Sequence, residues 1–557
     1  MTSYKKIKTG ATIGTLLLTI MGFYAFSTNN NSKYFKLAKN IELYGQIYKE
    51  VYDSYVDNVE PAGLMKKGVD AMMKSLDPYT NYISEAQIEG YRLQRNSAAG
   101  DIGVELIKKD NVIIIDEVYE EQGAYKAELR AGDKILAING TSADGRTIEE
   151  VKQALTGQPG SELSLSIVKV GQTNPENVVV IRDKEEPNSV TFSGMLNDNT
   201  AYVKFKSFTR NCSGEVVEAF QTLQKNNEVK NFVLDLRGNG GGLLDEAIKV
   251  VNIFIEKGQL VVKGDGKTEN WKDKSFATPK DPLLPDIPLV VLINDRSASA
   301  SEIVSGTMQD LDRGIVIGQR SFGKGLVQQT KDVGYGSKIK LTVAKYYTPS
   351  GRCVQAIDYS GRYQDGASTM PDSLRKVFKT KNGRTVYDGS GVNPDIEIPK
   401  DEQSNVTKSL LNKHLIFDYA TSYMEKKPTI ASATEYQFTD KDFEEFVQFL
   451  SNKQYDYTTE SEKMLEKLQK SAEDEKYAGP IETTINKIKQ KITEEKEKDL
   501  YKNKTEIKKI LQFEIISRYY FQRGEVEASL DDDPAIKEAL NLFKDKNAYN
   551  SILTTIK

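Results

Sequence analysis

The sequence predicts a multidomain α/β chain: an α/β core, an inserted β-rich domain, and helical regions flanking both. Three observations predict it. Residues 184–400 alternate apolar strand-like runs with amphipathic helical stretches, the pattern of a sheet covered by helices. Residues 98–183 carry short strand signals separated by Gly and Asn turns. Residues 401–557 show apolar residues at helical spacing, with Ile481, Ile485, Ile488 and Ile492 on one face. At 557 residues, and roughly 150 residues per domain, the chain has room for several cores.

Composition excludes several function classes. Lys+Arg is 76 and Asp+Glu is 80, for a net charge of −4, so no basic footprint marks a nucleic-acid binder. There is one histidine, His414. A Ser-His-Asp triad must use it or not exist, and a metal site built on two histidines is excluded. The two cysteines, Cys212 and Cys353, cannot make a four-cysteine zinc site. No metal and no organic cofactor is expected.

The elements follow in chain order. Lys5, Lys6 and Lys8 precede an apolar run over residues 11–26, a positive segment followed by a hydrophobic one. Ala25 and Ser27 have the spacing of a cleavage site, so residues 1–27 read as a signal peptide, with an uncleaved membrane anchor as the alternative. Either reading exports the remainder, to the periplasm or to the membrane facing it. Residues 28–97 read as helical, with Leu43, Ile47 and Val51 on one face and a breaker at Leu76-Asp77-Pro78-Tyr79.

In 98–183, Val112–Ile115 reads as a buried strand, Leu129–Gly140 as turn-strand-turn, Ile148–Leu155 as a helix and Leu163–Val168 as a strand. In the core, the strands are Thr200–Phe205, Phe232–Leu236, Leu289–Ile293 and Ile315–Gly318. The core helices are Glu215–Leu223, Leu243–Ile255 and Ile303–Met308. In the last third, Asp533-Pro534 signals a helix start, and the charge run Glu494–Asp499 reads as a solvated helix face.

The β-rich stretch resembles a PDZ domain. The resemblance rests on Ile102-Gly103-Val104, Leu129-Arg130-Ala131-Gly132-Asp133-Lys134-Ile135 and the Asn139-Gly140 turn. It implies that a peptide tail adds to an edge strand while the amides of Asp101, Ile102, Gly103 and Val104 take its carboxylate.

Three segments of the core can carry chemistry. Asp235-Leu236-Arg237-Gly238-Asn239-Gly240-Gly241-Gly242 joins a strand to a helix. Its glycines allow close backbone approach, for a phosphate, an oxyanion or only a tight turn. Ser297-Ala298-Ser299-Ala300-Ser301-Glu302 opens a helix, where a serine is either a cap or a nucleophile beside the helix's free N–H groups. Ser321-Phe322-Gly323-Lys324-Gly325 sets a lysine among small and apolar residues. Burial there disfavours the charged form and makes lysine a usable base. If 324–328 is extended, Gln328 shares a face with Lys324. With His414 in a separate helical region, a serine nucleophile here needs a lysine base.

Taken in order, Ser75–Tyr79, the PDZ-like domain, the glycine loop, Ser-Ala-Ser-Glu, Phe322-Gly323-Lys324-Gly325, Tyr347-Thr348-Pro349-Ser350-Gly351 and Gly391–Ile396 resemble the carboxyl-terminal processing peptidases. These are tail-specific serine proteases, and the likeness spans about residues 40–400. It implies Ser299 as nucleophile, Lys324 as base, Gln328 as its orienting partner, and Ala300 and Gly241 as oxyanion donors. Ser297 and Ser301 are the competing serines. The arginine many members carry near the end of the PDZ helix is absent here, where Thr156 stands.

The expected organisation is therefore a signal or anchor over 1–27, a helical region over 28–97 and a PDZ-like domain over 98–183. An α/β protease core follows over 184–400 and a C-terminal helical domain over 401–557. Substrates are expected to be proteins or peptides with free C-termini. The C-terminal helices are expected to hold substrate, form a homo-oligomer or dock an adaptor. Two other classes compete: a catalytically inactive PDZ adaptor, and an acyl-binding enzyme acting on a thioester.

Overall fold

The computed structural model describes residues 33–85, 87–88, 100–183, 188–359, 368–476 and 478–554. The segment 1–27, with its expected signal or anchor, lies outside them. Among the described residues no helix is long and apolar enough to cross a membrane.

The chain divides into two units, 1–82 and 83–557. In the first, helix α1 covers 33–54 and α2 covers Pro61–Lys74. Glu60 starts α2 by accepting the amides of Ala62 and Gly63, with proline at the first helical position. The stripe of Leu43, Ile47 and Val51 does lie on a helix, but Leu43 and Ile47 are exposed. The Asp77 breaker is a local turn: its carboxylate accepts the amides of Tyr79 and Thr80, both at 2.8 Å.

The second unit begins with an antiparallel sheet of β1 (Val104–Lys109), β2 (Val112–Val118), β3 (Lys134–Ile138), β4 (Glu162–Val168) and β5 (Glu176–Ile181), in that spatial order. Strand β1 is an edge. Helix α3 (Ile148–Leu155) begins at a capping box in which Thr147 and Glu150 bond each other's amides. Val104, Leu106, Ile113, Ile115, Ile135, Val151 and Leu163 form the domain's core. Arg182 closes the far end of α3, donating to the carbonyls of Leu155 (2.6 Å) and Ala154 (3.2 Å), where cations offset the helix dipole.

The core sheet runs β6 (Val190–Asn197), β7 (Thr200–Phe205), β8 (Asn231–Asp235), β11 (Leu289–Ile293), β12 (Ile315–Gly318) and β15 (Ile396–Glu397). All pairs are parallel except β6 with β7. Between them lie α4 (Cys212–Asn226), α5 (Leu244–Asn252) and α6 (Ala300–Asp310). A second, antiparallel sheet holds β9 (Leu260–Gly266), β10 (Lys274–Ala277), β13 (Leu326–Gly334) and β14 (Ser337–Tyr347).

The central strands carry apolar residues on both faces because both faces are covered. Val203, Phe232, Leu234, Val291 and Val316 face α4, α5 and α6. Tyr202, Val233, Val290, Leu292, Ile315 and Ile317 face Ala535, Ile536, Ala539, Leu542 and Tyr549. Those last five belong to the final two helices of the chain.

This places a limit on the expected boundary at 400/401. Helices α7 (Asn405–Asn412), α8 (Leu415–Lys426), α9 (Asp440–Leu450), α10 (Glu460–Asp474), α11 (Ala478–Lys496) and α12 (Lys504–Ser529) follow the core sheet. A separate helical core is built from α7, α8, α9 and α12 with the loops between them. Helices α13 (Pro534–Lys544) and α14 (Lys546–Leu553) instead belong to the core sheet. Tyr549 fixes the docking: its hydroxyl accepts the Leu289 amide at 2.8 Å and lies 3.0 Å from the Leu289 carbonyl. On α11, Ile485 is buried but Ile488 is exposed, so the isoleucine stripe is only partly covered.

Candidate active site

The chemistry-bearing loops leave the C-terminal ends of β8 and β11, which are neighbours. Beyond β8, Asp235 is fully buried at the head of the glycine loop. Burial would raise its carboxyl, but Arg237 and Lys204 more than reverse this, with the Tyr202 hydroxyl bonded at 2.7 Å. The carboxyl therefore stays well below the usual aspartate range. Arg237 also reaches Asp533 at 2.6 Å, and the same Asp533 caps α13. One ion network thus joins the glycine loop to the chain's penultimate helix.

Beyond β11 the three serines separate by their partners. Ser297 is fully buried, and its hydroxyl donates to the Leu236 carbonyl at 2.8 Å and accepts the Asn294 amide. The hydroxyl of Ser301, also buried, donates to the Asn239 carbonyl at 2.8 Å. Both clasp the glycine loop to the start of α6. Ser299 lines a cavity of about 500 Å³ together with Lys324, Gln328, Gly241 and Ala300. Its backbone sits at φ 57°, ψ −110°, a conformation that costs a non-glycine residue about 1–3 kcal/mol and turns it out of the helix it precedes.

Glu302 organises this arrangement from beneath. It is fully buried. One carboxylate oxygen accepts the amides of Ser299 and Lys324, each at 2.8 Å. The other accepts the Ser321 hydroxyl and the Gly323 amide, each at 2.6 Å. Burial pushes this carboxyl up, and the surrounding donors pull against it. From the other side the Tyr346 hydroxyl lies 2.6 Å from the Lys324 carbonyl and 3.1 Å from that of Ser299. Two side chains, 44 residues apart in sequence (346 − 302 = 44), each touch the backbones of both Ser299 and Lys324.

Glu302 is legible in the sequence only as the fourth residue of a Ser-x-x-Glu capping box. Tyr346 leaves no local signal, because β14 brings it in from afar. Lys324 is half-buried. Gln328 lines the same cavity, but alternation from Lys324 does not put it there: β13 begins at Leu326, and the ladder slips between Val327 and Gln328, with the extra residue, Val343, on β14. Gln328 also donates to the Thr342 hydroxyl at 3.3 Å.

The two expected oxyanion donors differ. Ala300 is the first residue of α6, so its amide has no acceptor within the helix. Gly241 lies against it: a Cβ at Gly241 would come within 2.9 Å of the Ala300 nitrogen and 2.7 Å of the Ala298 carbonyl. Its φ of +99° is open to glycine. Its amide, however, donates to the Asn239 side chain at 2.9 Å, a partner that no local sequence signal marks.

In the β-rich domain, Ile102 and Val104 are buried in the core. The Gly103 carbonyl accepts the Tyr119 amide at 2.9 Å, and the Ile102 carbonyl accepts the Ala124 amide at 2.7 Å. The Ile102 amide donates to the side chain of Asp101 itself, at 2.6 Å. Between β1 and α3, Lys152 bonds Glu105 at 2.6 Å, and the Tyr119 hydroxyl joins Glu105 at 2.8 Å to Lys206 of the core at 2.7 Å.

A serine at a strained strand-to-helix turn, sharing a cavity with a half-buried lysine and a glycine loop, is a hydrolase-type site on an α/β core. Comparison with known proteins gives the family. Residues 199–360 match the model of peptidase family S41, residues 114–169 that of the PDZ domain, and residues 406–543 that of the C-terminal helical domain of PDZ-proteases.

The carboxy-terminal-processing protease of Bartonella bacilliformis is 33% identical over 343 residues, covering 61% of this chain and 77% of that protein. A Staphylococcus aureus protein named "Probable CtpA-like serine protease" is 33% identical over 353 residues, covering 61% of this chain and 69% of its own length. The solved photosystem II D1 C-terminal processing protease shares 24% identity over 64% of this chain and 92% of that one, with a TM-score of 0.36. The chain belongs to the S41 serine peptidases and carries a PDZ domain and a C-terminal helical domain.

Proposed function

We propose that this chain is a carboxy-terminal-processing endopeptidase working through a Ser299–Lys324 dyad. Lys324, with its amine unprotonated, accepts the hydroxyl proton of Ser299 as that oxygen attacks the substrate carbonyl. Gln328 holds the amine in position. The developing oxyanion is met by the Ala300 amide and by that of Gly241, which first leaves Asn239. The protonated lysine gives its proton to the leaving amine, and water then hydrolyses the acyl-enzyme. The observation that carries this reading is the joint anchoring of the Ser299 and Lys324 backbones by Glu302 and Tyr346 at one cavity.

The substrate is a protein tail, added to edge strand β1 in the groove beside α3 and passed to the core. The test is cleavage of an unstructured protein with its C-terminus free or blocked. Cleavage that falls on blocking supports tail delivery, and equal cleavage of both forms refutes it. We also propose export, directed by residues 1–27; N-terminal sequencing of fractionated cells tests it, and an unprocessed chain in the cytoplasm refutes it.

A further inference from the structure

The loop that would receive a peptide's terminal carboxylate already holds a carboxylate of its own. Residues 100–103 are pinned on every side by backbone bonds. Gly100 and Gly157 exchange amide–carbonyl bonds at 2.7 and 3.0 Å, and the Asp183 amide donates to the Asp101 carbonyl at 2.8 Å. The carbonyls of Ile102 and Gly103 take the amides of Ala124 and Tyr119. The Ile102 amide is directed to the Asp101 carboxylate at 2.6 Å, and the Gly103 amide lies near enough to the same group to favour its charged form. Burial pushes the Asp101 carboxyl up, with Glu105 adding to this, while the loop amides and the nearby Lys152 pull the other way. Lys152 is itself bonded to Glu105.

Two amides of a short loop cannot serve two carboxylates at once, and a second anion beside the first is repelled. We propose that the Asp101 side chain is a built-in competitor for the terminal carboxylate of a bound peptide, so that residue 101 sets how strongly this domain selects a free C-terminus. The inference rests on the reading of the domain as a peptide binder. A tail that enters the groove either displaces Asp101 from the Ile102 and Gly103 amides or is held through its backbone on β1 alone. In either case the advantage of a free carboxylate over a blocked one is cut down by the Asp101 side chain. Asp101 acts on selection, away from the reacting atoms.

The test uses the full chain carrying Ser299→Ala, so that ligand is not consumed. Its probes are two pools of short unstructured peptides, degenerate at the last three positions and fluorescently labelled, one with a free C-terminus and one amidated. With Asp101 present, the free-acid pool binds more tightly than the amidated pool, but by less than about tenfold. Asp101→Ala tightens the free-acid pool at least about tenfold, the scale of one charge-assisted bond, and leaves the amidated pool unchanged. Asp101→Asn, which keeps an acceptor but loses the charge, gives a smaller gain. The amidated pool also reports whether the variant domain is folded.

The inference is overturned if the Asp101 form already prefers the free acid by tenfold or more. It is equally overturned if Asp101→Ala weakens that preference or leaves it where it was. Should no form bind either pool, the peptide-binding reading falls with it. Tail-dependent cleavage without any effect of residue 101 removes this inference alone.

Discussion

Glu302 shows how much of the site rests on a residue that touches no substrate. Its two oxygens collect four donors from two separate stretches of chain. Glu302→Gln keeps the shape but turns an NH2 group toward donors, so at least one backbone N–H is left facing another donor. The expected result is a loss of about 100-fold in kcat, because Ser299 and Lys324 no longer hold their relative positions. The far-UV spectrum stays that of the parent chain. A variant with parental kcat would show that Glu302 is only a helix cap. The rival serines make the same point in reverse. Sequence alone offers Ser297, Ser299 and Ser301 as equals, and only motif position prefers one. Their hydroxyl partners separate them, and such partners are tertiary facts.

At the scale of elements, the glycine loop is held by charge as well as by its own turn. Asp235 ties Arg237, Lys204 and Tyr202 together at the end of β8. Its carboxyl is depressed in the folded state, so its contribution to stability is present above the unfolded value near 4 and is lost as pH falls below it. Asp235→Asn should therefore lower stability at pH 7 by about 3 kcal/mol and flatten the acid limb. Melting temperature followed from neutral pH down to acid checks both. An unchanged acid limb would assign the acid sensitivity elsewhere.

Strands and helices of the core were legible because both periods are strong there. Thr200–Phe205, Leu289–Ile293 and Ile315–Gly318, and Ile148–Leu155 in the β-rich domain, stand at the residues their apolar patterns mark. The slip at Val327/Gln328 was not legible, since a bulge follows from the partner strand and not from local alternation. The occupation of the Gly241 and Ile102 amides was hidden for a similar reason. A glycine or a loop amide announces only that a donor exists, not which side chain has taken it.

For the whole molecule, the sequence divides more cleanly than the structure. The change of composition near residue 400 suggests a self-contained helical domain, and α7, α8, α9 and α12 do form one core. The apolar pattern of α13 and α14 gives no sign that their partner is a sheet completed more than 130 residues earlier. Ending the chain at Leu530 would uncover Tyr202, Val233, Val290, Leu292, Ile315 and Ile317. Each buried side chain of that kind is worth about 1.5–3 kcal/mol, so the sum matches the whole stability of a domain, about 5–15 kcal/mol. The truncated chain should be insoluble or lack a cooperative melt. A soluble, active product would mean that the last two helices are dispensable to the core.

The central claim is that Ser299 becomes acylated with Lys324 as its base. The most direct measurement is a mass spectrum of the full chain, acid-quenched during turnover of an activated peptide ester and then digested to locate the acyl group. The account predicts an adduct on the segment holding Ser299, absent in Ser299→Ala and strongly reduced in Lys324→Ala. An adduct on Ser297 or Ser301, or one that forms unchanged without Lys324, would contradict it.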